Sequence, residues 1–150
     1  MDEPSVSTVL TRTVARLLLL PTLIVALAVL VKGYSQTGDG FSAGVIAATG
    51  VLLQYLAFGR RAVRRVAPPG VARLAVVVGL LLALLLAFVP TLFGRPILTH
   101  APAPDETVVS LGMLELHTAV LFDVAVFCLV FGFVVGVLDH IGGAAEDELE

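Results

Sequence analysis

The stretch Thr107–Leu138, TVVSLGMLELHTAVLFDVAVFCLVFGFVVGVL, decides how this chain is read. From Leu116 onward it is long and apolar enough to cross a bilayer, and no charged residue lies between Asp123 and Asp139. A helix ending near Leu138 places the Asp123 carboxyl roughly 10 Å inside its other end at the α-helical rise. That depth is hydrocarbon. An acid there costs about 2.5–3.5 kcal/mol to insert, so such residues face protein or trapped water and mark ion or proton paths. Low dielectric disfavours a charged carboxylate, so an acid at this depth can hold a proton and exchange it for a cation. Asp123 is therefore the leading functional candidate. In the competing reading it is inert and only holds helices together by hydrogen bonding.

Periodicity adds to this. At about 100° per residue, Glu115 and Asp123 lie about 80° apart, whereas Gly132 lies about 180° from Asp123. The expected helix thus has two faces turned away from lipid. One carries Glu115 and Asp123. The other carries Cys128, Gly132 and Gly136 at four-residue spacing, a seam of small residues that lets a neighbouring backbone approach, and His117 leans towards it. A chain this short is expected to cover one such face with its own helices but not two, which points to a subunit of a larger assembly.

Composition agrees with a membrane location. Of 150 residues, 58% are hydrophobic and 14% charged, with a mean hydropathy of +1.03; soluble chains carry about 25% charged residues. The sequence predicts an all-α membrane protein of one domain over residues 1–150, with four transmembrane helices near residues 13–32, 40–59, 74–94 and 114–138. The single cysteine, Cys128, cannot form an internal disulfide and reads as a small buried residue. No cofactor or metal is expected, and no Ser/His/Asp or Cys/His arrangement suggests an enzyme. His117 with Glu115 and Asp123 makes a candidate proton relay.

The first span follows a short polar tail and a helix start near Ser7 or Thr8. A signal peptide is the rival reading, but the apolar run ends in Lys32 and Tyr34 and not in a small-residue cleavage site. Pro21 removes one backbone donor and predicts a kink. After Lys32 come Gly33, Gly38, Gly40 and Gly44. A phosphate-binding loop is excluded, because no hydrophobic strand precedes these glycines and no Lys-Ser/Thr follows them. Instead Gly40, Gly44 and Ala48 form the expected close-packing face of the second span, with Asp39 capping its N-terminus.

Five arginines, Arg60, Arg61, Arg64, Arg65 and Arg73, gather in the next loop, where Pro68 and Pro69 are expected to prevent a continuous helix. They act as a positive-inside signal. With Arg12 and Arg16 they place seven basic residues in the cytoplasm against Lys32 and Arg95 outside, so both termini are expected to be cytoplasmic. Recognition of anionic lipid or nucleic acid by this loop is the minor reading, and no nucleic acid is expected as a partner. The acidic tail after Gly143 is expected to be disordered. With no lysine inside a span and no inverted repeat, the chain is not expected to transport alone.

The order of these features resembles the MnhB family, one of the small membrane components of multi-subunit Mrp-type sodium/proton antiporters, and the related component of hydrogenase-like membrane complexes. The resemblance rests on Arg-x-x-x-Arg-Leu-Leu-Leu-Leu-Pro at Arg12–Pro21, Gly-Phe-x-x-Gly at Gly40–Gly44, Leu-Gln-Tyr-Leu-Ala-x-Gly at Leu53–Gly59, and Phe122-Asp123. Where the family usually reads Pro-Gly-Gly-Gly-Phe, this chain has Thr37-Gly38-Asp39-Gly40-Phe41. The resemblance implies a four-helix, non-catalytic subunit of the cell membrane. Its implied partners are the other antiporter subunits, membrane lipid, Na+ and H+, and separate large subunits would carry the proton-translocating residues. Asp123, Glu115 and His117 would contribute to the ion path. Gly38, Asp39, Gly40, Phe41, Gly44, Gly132 and Gly136 would shape the turn and the packing. The alternative it leaves open is the membrane arm of a redox-driven, hydrogenase-like ion pump.

Overall fold

The computed structural model describes residues 6–33, 38–66, 68–98, 110–111, 114–115 and 118–147. Four long helices dominate it: α1 (Val6–Lys32), α2 (Gly40–Phe58), α4 (Pro69–Leu92) and α5 (Thr118–Asp147). A seven-residue helix, α3 (Arg60–Val66), joins α2 to α4. Each long helix is sufficiently apolar and extended to cross a membrane. The fold is that of an all-α, multi-pass membrane protein. Before α5, Ser110–Leu111 (β1) and Leu114–Glu115 (β2) pair antiparallel, with Ser110 opposite Glu115.

The long helices stand in a row. Helix α1 packs on α2, α2 on α5 and α5 on α4, and among the described residues the two outer helices do not pack on each other. In hydrocarbon, association gains little from apolar burial and depends on how closely backbones approach. The core reflects this: it is made mainly of alanines such as Ala15, Ala43, Ala47 and Ala125, and Val135 is the largest side chain that is fully buried. Broad Leu, Val and Phe faces on α1 and α4 are left exposed, Leu81, Leu85 and Phe88 among them.

Glycines set the separations around α5. A Cβ on Gly40 would overlap the Asp123 backbone, and one on Gly44 would press on Val130 and on the Phe127 carbonyl. On the opposite side, a Cβ on Gly79 would lie 2.6 Å from the Ala125 oxygen, and one on Gly132 2.9 Å from the Val76 nitrogen. The expected small-residue faces at Gly40/Gly44 and at Gly132 are thus both used. Gly136 is not: nothing described lies within 4 Å of its virtual Cβ. Cys128 is half-buried.

Several expectations need correction. Helix α5 begins at Thr118 and not near Leu114, and Glu115 lies in β2, so Glu115 and Asp123 do not share a helical face. A short apolar run interrupted by Gly112 fits a strand pair as well as a helix, and periodicity alone does not separate them. The two protein-facing sides of α5 are both covered from within the chain, by α2 and by α4, so they do not by themselves demand a partner. Pro68 and Pro69 start α4 instead of breaking it, as N-cap and first helical residue, where the missing proline N–H costs nothing. The acidic tail is helical as far as Asp147; Gly143 lies under the Arg60 guanidinium, which a side chain there would displace. Helix α1 starts at Val6 and runs through Pro21. His117 and the first five residues lie outside the described residues.

Gly79→Val and Gly132→Val are each expected to push α4 off α5 and destabilise the fold by about 1–3 kcal/mol, the usual cost of overpacking. Gly136→Ala is expected to be neutral. Thermal unfolding in detergent, followed by helical circular dichroism, checks the contrast; equal midpoints for the three variants would contradict the packing described.

Candidate functional site

Helix α5 carries one buried acid towards each end, Asp123 at 5% and Asp139 at 6% exposure. Their surroundings differ, and the difference separates a candidate ion-binding group from a structural one.

Asp123 lies one and a half turns into α5, beside the segment that joins α1 to α2. The Gly38 amide donates to both carboxylate oxygens, at 3.2 Å to Oδ1 and 3.0 Å to Oδ2. Gly38 has φ +119°, in the region that glycine adopts without a steric penalty. Gly33, just past the end of α1, faces the carboxylate from another side: a Cβ there would stand 3.0 Å from Oδ2. The absence of two side chains, at Gly33 and Gly40, lets the end of α1 and the start of α2 close over Asp123. Asp39 occupies the N-cap position of α2, as expected, but its side chain makes no capping hydrogen bond. It pairs instead with Lys32 at 3.6 Å, an exposed contact across the turn. Phe41 is 60% exposed, so it does not pack within this chain as expected.

A carboxylate has about four lone-pair sites. Among the described residues the donor to Asp123 is the single Gly38 amide, so most of its acceptor capacity is unused within the chain. Such a group can take a proton or a cation. Among the described residues no group of three or more His, Cys, Asp or Glu side chains could hold a metal ion.

The other end carries a network that periodicity did not reveal. Arg64 grips Asp139 with both arms of its fork, Nε to Oδ1 at 2.7 Å and Nη2 to Oδ2 at 2.8 Å. Arg60 Nε donates to Oδ1 at 3.2 Å, and the Tyr55 hydroxyl lies 3.4 Å from the same oxygen. Bidentate arginine–carboxylate pairs are the stronger kind. Helix α3 supplies both arginines one turn apart while Val63 is buried beneath it, so this short segment is amphipathic. The sequence signal was the Arg-x-x-x-Arg spacing next to an acid one residue past the apolar run; reading the arginines only as a topology signal missed it. Nearby, Gln54 Nε2 donates to the Ala15 carbonyl at 2.7 Å. Arg12 Nε donates at 3.3 Å to the Ala57 carbonyl, one of the last-turn carbonyls of α2 that have no partner within their own helix.

Asp139 is thus saturated and Asp123 is not. Asp139→Ala is expected to leave two guanidinium groups without their carboxylate. Breaking a buried pair costs about 3–5 kcal/mol; with Arg64 40% exposed and Arg60 19% exposed, a loss near the lower limit is expected. Arg64→Ala should cost less, since Arg60 and Tyr55 still reach the carboxylate. Thermal unfolding of the two variants measures this, and a neutral Asp139→Ala would show the network to be superficial.

Comparison with known proteins places these features in context. A family model described as a domain related to the MnhB subunit of Na+/H+ antiporter matches residues 10–136. The chain is similar to the MnhB-type subunit of the Na(+)/H(+) antiporter of Bacillus subtilis (strain 168), 30% identical over 142 residues that cover 95% of this chain and 98% of the relative. It is also similar to the equivalent Na(+)/H(+) antiporter subunit from Alkalihalophilus pseudofirmus, 30% identical over 141 residues covering 94% of each.

Proposed function

The chain belongs to the MnhB family, and we propose that it acts as a non-catalytic subunit of a heteromeric sodium/proton antiporter, helping assembly and contributing Asp123 to the cation path. It is a multi-pass protein of the cell membrane. The observation that carries the proposal is the buried Asp123 carboxylate, held by one backbone amide and otherwise open as an acceptor. A purely structural acid would be expected to resemble Asp139, with its charge neutralised by cationic side chains.

In this reading the arginine-rich end, with both termini, faces the cytoplasm, following the excess of basic residues there. Asp123 then sits towards the outer side. Sodium and a proton would compete for the same carboxylate, which is the elementary requirement for exchange. Glu115, three residues before α5 begins, is the second acid proposed for the route, with His117 between them in sequence. The large subunits implied by the relatives' names would provide the rest of the path, since this chain has no lysine within its apolar spans. Those names point to antiport and not to a redox-driven pump.

Asp123→Asn keeps the shape and an acceptor for the Gly38 amide but removes the titratable charge. In inverted membrane vesicles it is expected to lower Na+/H+ exchange roughly tenfold or more, with the subunits still co-purifying on a tag carried by this chain. Unchanged exchange in an assembled complex would overturn the role of Asp123. Co-purification of iron–sulfur or nickel proteins would overturn the antiporter reading in favour of a redox-driven complex.

A further inference from the structure

We infer that the arginine-rich end of α1 and the groove beside it form a binding site for one anionic glycerophospholipid. Two clefts meet at Arg16 and Phe58. The first, of about 360 Å³, is bordered by Val9, Arg12, Thr13 and Leu17 as well as by that pair. The second, of about 470 Å³, runs along α1 past Leu19 and Leu23 and is closed on its far side by Val51, Val63 and Phe131. Arg12 and Arg16 are one helical turn apart, and Leu23 lies two turns further towards the middle of the membrane, roughly 10 Å along the axis. The first cleft is therefore cationic and sits near the end of the span, whereas the second is apolar and sits within it.

The charge pattern favours a lipid phosphate over other occupants. Arg60 and Arg64 are neutralised by Asp139. Among the described residues no carboxylate pairs with Arg12 or Arg16: Arg12 uses Nε on the Ala57 carbonyl, and Arg16 lies 5.4 Å from the centre of the Phe58 ring. Stacking on an aromatic face leaves the edge of a guanidinium free to donate, and planar donor forks match phosphate oxygens. A juxtamembrane basic pair attracts anionic headgroups, and the adjoining groove offers an acyl chain a surface without polar groups except Gln54, which is engaged with the Ala15 carbonyl. One amphiphile satisfies both clefts. A helix of a partner subunit would fill the apolar groove but would leave the two arginines without an anion unless it brought an acid to that point.

The test uses the assembled complex reconstituted in vesicles that contain either a phosphatidylglycerol or a phosphatidylcholine carrying a photoactivatable diazirine in its acyl chain. Labelled residues are mapped by mass spectrometry. Labelling of the Leu19–Leu23 segment and Phe131 is expected to be roughly tenfold stronger with the anionic probe, and to lose that preference when Arg12 and Arg16 are both replaced by glutamine. Because those replacements also remove the Ala57 and Phe58 contacts, Leu23→Trp serves as a second variant that fills the groove and keeps both arginines; it should abolish labelling at Phe131. Equal labelling by the two probes would overturn the headgroup assignment. Absence of labelling, with a cysteine at position 23 cross-linking to another subunit, would overturn the site altogether and assign the groove to a protein partner.

Discussion

The close approach of α2 and α4 to the backbone of α5 is the constraint on which the rest of the structure depends. Gly40 and Gly44 on one side, and Gly79 with Gly132 on the other, remove the side chains that would hold the helices apart. In hydrocarbon, where burial of leucine gains little, this contact between backbones is what association has to draw on. It makes α5 the centre of the row, with α1 and α4 on the outside presenting leucine and valine to their surroundings. Both acids of α5 owe their burial to it: Asp123 is covered because Gly40 allows α2 to begin directly over its backbone, and Asp139 because α3, following α2, is brought back against the end of α5.

The two acids divide the molecule between stability and chemistry. They are sixteen residues apart, about 24 Å along a helix, close to the thickness of a bilayer core. At one end, Asp139 binds three side chains and ties α2, α3 and α5 together at the arginine-rich end. At the other, Asp123 binds a backbone amide of a glycine turn and retains acceptor capacity. An unsatisfied intramembrane acid is expensive, and its persistence here accords with a role in an ion path shared with neighbouring subunits. The same contrast appears among the arginines, since those facing Asp139 are neutralised and those on α1 are not.

Much of the architecture was legible in the residues. Four apolar runs, the packing faces at Gly40/Gly44 and Gly132, the N-cap position of Asp39 and the burial of Asp123 all follow from period and composition, because a helix in lipid has few alternatives. The failures share one cause: each concerned a contact between segments distant in sequence. Gly143 carries the helix past the expected acidic tail because Arg60 lies on it. Phe41, expected to pack, stays exposed because α2 turns its glycine face to α5. Glu115 left the helical face because β1 and β2 pair with each other, and short apolar segments read alike in either state.

By itself the sequence determined a four-span membrane protein, the family resemblance and the identity of the acid most worth attention. These depend on hydropathy, periodicity and local motif, which are properties of a segment. Only the tertiary structure decided what each acid meets. A carboxylate gripped by two guanidinium groups and one held by a single glycine amide are indistinguishable as letters, because the partners of Asp139 and Asp123 lie 75 and 85 residues away and meet them only when the helices have packed.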